Sequence, residues 1–223
     1  MKQKTISCVL FDLDGTLIDT APDLVACLNK ALIEYDFAPI SFDFVKPHVS
    51  FGAVAMIDAS IDKHIDLQTR EHILETMLTL YENNIATHSD FFDGMREVLA
   101  FLETKRIPWG IVTNKRTRFT SPLMQAFNLH SRAACVISGD STPTPKPHPA
   151  PLLAACEQIG VLASECVYIG DAAHDIVAGN AANMHTLAAV YGYLQPNDQP
   201  KEWGAAALIE SPKQLLTWLK NVL

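Results

Sequence analysis

Two rhythms of hydrophobic residues run along this chain. Short, continuous apolar runs occur at 6–11, 109–112, 134–139, 166–170 and 186–191, with a shorter one at 206–209. They lack polar alternation, as strands do when helices cover both faces of a parallel sheet. Between them, apolar residues recur every third or fourth position. Leu24, Val25, Leu28, Ala31 and Leu32 mark one helix, with Pro22 in its first turn. Val98, Leu99 and Leu102 mark another. Further helices are predicted over 117–127 and 151–159, and another after a loop over 171–175, running to about 182. A closing helix over 214–222 is announced by Ser211 and Pro212. Strands alternating with helices predict βαβ units and a doubly wound parallel sheet.

One interval breaks the alternation. From 17 to about 88 the pattern is helical only. Phe42, Phe44 and Val45 open one helix, and Ala53, Met56 and Ile57 suggest the next. The longest runs over 67–85, with Ile73, Leu74, Met77, Leu78 and Tyr81 on one stripe. The expected architecture is an α/β core over 1–16 and 89–223, with an all-helical insertion over 17–88. Pro47 and Gly52 punctuate a break between two of its helices. Pro143, Pro145, Pro147 and Pro149 make 141–149 a stiff loop, since they suit neither a helix interior nor a central strand.

Composition narrows the partners. With 223 residues, 48% of them hydrophobic, the chain can build one α/β domain and a smaller one, and disorder is not expected. A net charge of −8 argues against nucleic acid and against anionic membranes. No apolar run approaches the ~20 residues of a membrane span. Residues 1–5 are short and polar, unlike a signal peptide. A cytoplasmic protein is expected. Cys8, Cys27, Cys135, Cys156 and Cys166 form no C-x-x-C pair. They read as buried structural thiols of a reducing compartment.

The polar groups worth chemistry sit where strands end. Ligands of open α/β sheets bind beyond the carboxyl ends of the strands. The first run stops at Asp12, Asp14 and Gly15. Two close carboxylates repel unless a cation joins them, and Mg²⁺ is the natural hard partner. A turn at Gly15 can bring both carboxylates towards one ion. A plain Asp-Gly turn after a strand is the other reading these residues admit. Thr113 with Asn114, Lys146, and Asp171 with Asp175 lie at other strand ends or in the loops between. Together they fit phosphoryl transfer, which needs a nucleophile, a cation, hydrogen-bond donors and a proton source. His148 is left without a role. His174 stands between Asp171 and Asp175, but imidazole suits Mg²⁺ poorly, so it reads as a helix-start residue.

In order, Asp12-Leu13-Asp14-Gly15-Thr16, Thr113-Asn114, Lys146-Pro147-His148-Pro149 and Gly170-Asp171 with Asp175 resemble the four motifs of the haloacid dehalogenase-like hydrolase superfamily. The resemblance covers essentially the whole chain. It implies a Rossmann-like core with a helical cap. It implies that Asp12 is a nucleophile forming an aspartyl-phosphate and that Asp14 is the general acid and base. Mg²⁺ would be held by Asp12, Asp171 and the backbone carbonyl of Asp14, with Asp175 behind them orienting a ligand or water. Thr113 and Asn114 would donate to the phosphate. Lys146 would offset the charge shared by phosphate and Asp12. Ser50 and Gly52, in the cap loop near His48, would read the substrate. An aspartate at 14 favours phosphate esters, because the superfamily's dehalogenases and phosphonate hydrolases lack it.

The stretch 12–23, Val112 to Lys115, and Tyr191-Gly192-Tyr193 are similar to the phosphoglycolate phosphatase group. His88-Ser89, Phe92 to Met95, Trp109-Gly110 and the tail through Trp203-Gly204-Ala205 resemble a sister group, the N-acetylmuramic acid 6-phosphate phosphatases. The implied partner is a small phosphorylated metabolite, met by a monomer or homodimer. Other readings are a phosphomutase of the β-phosphoglucomutase kind, a broad sugar phosphatase, and a non-catalytic scaffold. The last would be expected to have lost Asp12, Asp14 or Lys146, and all three are present.

Overall fold

The computed structural model describes residues 6–62 and 64–223. The signal-peptide reading of residues 1–5 lies outside them. Strand β1 (Cys8–Phe11) leads, through β2 (Ile18–Asp19), into helix α1 (Ala21–Glu34). A short α2 (Phe42–Val45), a 3₁₀ helix (Lys46–Phe51), α3 (Gly52–Ser60) and α4 (Leu67–Asn83) follow. Then come β3 (Asp90–Phe91), α5 (Met95–Thr104), β4 (Trp109–Val112), α6 (Thr117–Ala126) and β5 (Cys135–Ile137). The chain closes with α7 (Ala150–Ile159), β6 (Cys166–Gly170), α8 (Ala173–Ala181), β7 (His185–Ala189), β8 (Ala207–Ile209) and α9 (Pro212–Val222).

Six strands form one parallel sheet in the order β5-β4-β1-β6-β7-β8. Every residue of β1, β4 and β6 is buried, which is why those runs carry no polar alternation. The order has a direct consequence. β1 lies between β4 and β6, and Phe11 pairs with Ile111 on one side and Ile169 on the other. The three strands therefore end level, and Asp12, Thr113 and Asp171 emerge side by side.

The expected α/β architecture is present, with two differences inside 17–88. Leu17 and Ile18 belong to the main core, packed with Phe91, Met95 and Ile169. Ile18 also pairs antiparallel with Phe91, so a two-residue ribbon sits where only helix was expected. Two residues are too few to show a period. The break at 47–52 is not open loop but the 3₁₀ helix, ended by Gly52 at φ +85°. The helices from Ala21 onward close on a cluster of their own. It includes Leu28, Leu32, Met56, Ile73 and Met77, with Phe119 and Tyr193 reaching in from the other side. Asp23, inside α1, is buried, and its carboxylate accepts from the Ser89 amide (2.9 Å) and hydroxyl (2.6 Å) and from the His88 amide (2.8 Å). Those donors satisfy the buried charge and tie the start of α1 to the strand that leaves the helices. No helix among the described residues is long and apolar enough to cross a membrane. All five cysteines are free and buried.

Candidate active site

Lys146 is the centre of the site floor. Its side chain is wholly buried, between Asp12 Oδ1 at 2.8 Å and Asp175 Oδ1 at 2.7 Å. The ammonium also donates to the Val112 carbonyl at 3.0 Å and lies 2.8 Å from the Tyr168 hydroxyl oxygen. Burial alone would strip its proton, but Asp12 and Asp175 outweigh that and hold its pKa above the ordinary value. The prolines do not place this lysine unaided. Asn114 clamps its backbone, accepting from Lys146 N at 3.0 Å and donating to Lys146 O at 2.9 Å. One N–H of the Asn114 amide thus holds the loop, and the residue also borders the cavity.

Asp171 completes the floor. Its Oδ2 accepts from Tyr193 N at 2.9 Å and from the Ser50 hydroxyl at 2.8 Å, and Thr16 reaches its Oδ1 at 3.4 Å. Two glycines make room for it. A Cβ on Gly15 would stand 2.2 Å from Asp171 Oδ2, and one on Gly192 would stand 2.4 Å from Asp171 Cβ. Gly15 also has φ +81°, a conformation glycine takes readily.

Asp12, Asp171 and Asp175 each place a carboxylate oxygen within 4.8 Å of the others. Burial lifts Asp12 to about 7, with Asp175 and Asp14 adding to the rise against the pull of Lys146. Burial, then Asp12 and Asp175, lift Asp171 well above the carboxylate range. One ammonium cannot balance three carboxylates, so the cluster has surplus negative charge and hard oxygen donors. A cation such as Mg²⁺ fits that set. Asp175 is less free than the other two. Its Oδ1 takes Lys146 and the Tyr168 hydroxyl (3.0 Å), and its Oδ2 takes the Ala172 amide (3.1 Å). Its pKa is lowered: burial opposes the charge, but Lys146 and these bonds prevail.

The structure corrects one reading of the first motif. The two carboxylates do not converge on one ion. Asp14 turns away, and its Oδ1 accepts from Lys115 Nζ at 2.9 Å and from the Thr20 hydroxyl. Strand alternation would set Asp12 and Asp14, two residues apart, on one face, but the chain bends at Leu13 and breaks that repeat.

Above the floor opens a cavity of about 720 Å³. Asp12, Asp14, Thr113 and Lys146 line its base, and Leu24, Val54, Met56, Leu74 and Leu78 face them from the helices. Thr113 Oγ1 accepts from Lys115 N at 3.1 Å, and its own proton goes to no partner among the described residues. Gly52 is on the cavity wall with nothing within 4 Å of a Cβ. His174 lines the cavity edge-on to Phe51, and its Nε2 is 3.8 Å from Asp175 Oδ1. Burial holds its pKa below the ordinary value. His148 accepts from Ala150 N at 3.2 Å, a local bond at the start of α7.

Residues 9–189 match the family model described as haloacid dehalogenase-like hydrolase. The chain belongs to that family. The hydrolase is 37% identical to the N-acetylmuramic acid 6-phosphate phosphatase of Pseudomonas aeruginosa, over 100% of this chain and 99% of the relative. It is 42% identical to the phosphoglycolate phosphatase of Xanthomonas campestris pv. campestris, over 93% of each. In three dimensions it is similar to the crystal structure titled a predicted phosphoglycolate phosphatase from Haemophilus somnus. That likeness has a TM-score of 0.86 at 25% identity and covers 96% of this chain and 98% of the other.

Three contacts of the hydrolase were not anticipated from sequence. Tyr168 lay hidden in the apolar run of β6, yet its hydroxyl completes the Lys146–Asp175 contact. Lys115 follows Thr113-Asn114 directly, and that adjacency was the available signal. Tyr193 was noted only as part of a similar tail. Its hydroxyl donates to Asp19 (2.7 Å) and accepts from Thr20 N (2.7 Å), while its amide holds Asp171. It joins the floor to the segment leading into the helices.

Proposed function

We propose that this hydrolase is a cytoplasmic, Mg²⁺-dependent phosphatase of a small phosphomonoester, working through an aspartyl-phosphate. The observation that carries the reading is the buried Lys146–Asp12 pair at the base of an open cavity, beside the under-neutralised Asp171. Asp12, Asp171 and the Asp14 carbonyl would hold Mg²⁺, with Asp175 orienting them through Lys146. The ion would supply positive charge to the phosphate oxygens. An Asp12 oxygen attacks phosphorus, the P–O ester bond breaks, and the leaving oxygen takes a proton from Asp14. Water then attacks the phosphoryl group as Asp14 takes its proton, releasing inorganic phosphate and restoring Asp12. Lys146 offsets charge on Asp12 and the phosphate, and the free Thr113 hydroxyl donates to a phosphate oxygen. Ser50 serves the site in this structure by bonding Asp171, which ties the 3₁₀ helix over Lys46–Phe51 to the floor. The helical layer from α1 to α4 acts as the cap that shapes the cavity.

The cavity volume favours a substrate the size of N-acetylmuramic acid 6-phosphate. Glycolate would leave most of about 720 Å³ to water. The phosphoglycolate phosphatase at 42% identity keeps the smaller acid as the second reading. Measuring kcat/KM with Mg²⁺ for both esters, side by side, decides between them. A large preference for the sugar supports the first reading, and a large preference for 2-phosphoglycolate reverses it. Turnover of neither, or a strict need for a bisphosphate activator, would overturn the phosphatase assignment.

A further inference from the structure

The cavity wall beside Asp14 carries two groups that the proposed chemistry does not use. Lys115 Nζ, its side chain 7% exposed, bonds Asp14 Oδ1 and stands 4.5 Å from the centre of the Tyr81 ring. Tyr81, on α4, is 1% exposed. Its hydroxyl is the buried side-chain oxygen or nitrogen that finds no hydrogen-bond partner among the described residues. Both residues line the cavity. A buried donor left unmade carries a full desolvation cost, so its persistence calls for a reason. Ring packing accounts for the tyrosine's body, which lies 5.5 Å from the Phe119 ring, but a phenylalanine would pack as well. The hydroxyl has the Lys115 ammonium as a charged neighbour, but no hydrogen bond closes on it. Burial pushes its pKa up to about 12 against the pull of Lys115, so it remains an O–H donor at neutral pH.

Lys115 poses the complementary question. It pins the carboxylate that the phosphatase reading assigns to the ester oxygen. In its present contact, Asp14 Oδ1 is turned to an ammonium and to the Thr20 hydroxyl. Asp14 Oδ2 has no such partner among the described residues, and a ligand that drew Lys115 away would free Oδ1 as well. The two relatives' substrates share one feature next to the scissile bond. In both, the ester oxygen is on a CH₂ whose neighbouring carbon bears another oxygen: a carboxylate in phosphoglycolate, the ring oxygen in the sugar.

We propose that Lys115 and the Tyr81 hydroxyl form a leaving-group subsite. It reads an oxygen acceptor on the carbon beside the ester CH₂, and in taking it Lys115 exchanges away from Asp14. The subsite rests on the phosphatase reading. It makes the helical layer, through Tyr81, part of substrate choice, and it leaves Asp14 Oδ1 free only when a suitable leaving group is present. Esters lacking that oxygen find Asp14 Oδ1 still paired.

The test compares kcat/KM for 2-phosphoglycolate and N-acetylmuramic acid 6-phosphate with that for ethyl phosphate, which keeps the CH₂ and lacks the oxygen. Wild type, Lys115→Met, Lys115→Arg and Tyr81→Phe are measured. The better oxygen-bearing ester should lose its advantage over ethyl phosphate by about tenfold or more in Lys115→Met, the scale of a charge-assisted bond, and regain part of it in Lys115→Arg. Tyr81→Phe should cut the advantage about fivefold through KM, with the melting temperature unchanged or higher, because no folded-state bond is lost. A ratio unmoved by either change overturns the subsite. So does a Tyr81→Phe variant that melts lower with its ratio intact, which would make the hydroxyl structural. Should Lys115→Met fail to fold, Tyr81→Phe still decides. A wild type inactive on all three esters overturns the phosphatase reading and the subsite with it.

Discussion

Two lysines face the two aspartates of the first motif, and they are held very differently. Lys146, on the floor, is enclosed: two carboxylates, a carbonyl and a tyrosine oxygen surround its ammonium, and Asn114 clamps its backbone. Lys115, on the wall, has one carboxylate and the face of a ring, next to a hydroxyl with no partner. The floor is saturated with internal bonds and the wall is not. A saturated network fixes the geometry that every turnover needs. An unsaturated wall keeps donors for a ligand. In the proposed reading the chemistry falls to the enclosed floor and substrate choice to the open wall, to which Lys115 comes from the loop after β4 and Tyr81 from α4.

Asp12→Asn strikes the floor hardest. Removing the proposed nucleophile should lower kcat by at least about a thousandfold. The fold should survive, because burial already disfavours the Asp12 charge. Steady-state kinetics and a thermal melt read both. Wild-type kcat in this variant would remove Asp12 from the role. Lys146→Met should instead be costly to stability. It leaves Asp12 and Asp175 buried without their cation, a loss of about 3–5 kcal/mol in denaturant unfolding. If stability stays within error, the floor is less dependent on that ammonium than its contacts indicate.

Next in size is the coupling of Mg²⁺ to pH. Asp12 and Asp171 have folded pKa values raised above their unfolded ones. Such carboxyls weaken the ion-free fold as pH climbs from about 4, where the unfolded chain ionises, through about 7, where Asp12 does. Mg²⁺ competes with protons at those groups. The rise in melting temperature on adding Mg²⁺ should therefore be small at pH 5 and larger at pH 8. An equal rise at both values would separate the ion from these carboxylates. The smallest effect is expected on the wall. Phe51 is 48% exposed and touches His174 edge-on. Phe51→Ala should change KM by about threefold, leave kcat within about twofold and leave stability within about 0.5 kcal/mol. A large fall in kcat would show the wall reaching into the chemistry.

Much of this architecture is legible in the residues. The run at 166–170 is β6 to the residue, and the other core strands lie within a few residues of their runs, because a strand buried on both faces must be continuously apolar. The closing helix starts at its announced cap, with Ser211 accepting from Gln214 N. The ribbon of β2 and β3 gave no signal at two residues each. Tyr168 was masked by its setting, since a tyrosine in an apolar run reads as core until its hydroxyl's neighbours are known. The convergence expected of the Asp12 and Asp14 carboxylates failed because side-chain direction depends on the backbone path through Leu13.

Alone, then, the sequence determined the fold class, the family and the order of reactive residues along the chain. Those follow from local periodicity and short motifs, which need no knowledge of distant contacts. Which groups meet was decided only in three dimensions. The sheet order sets β1 between β4 and β6, bringing Asp12 to Lys146 across 134 residues and Asp14 to Lys115 across 101. Burial then decides their charges, and the helices set how much room remains above them. Those properties depend on distance and dielectric, which a linear order of residues does not contain.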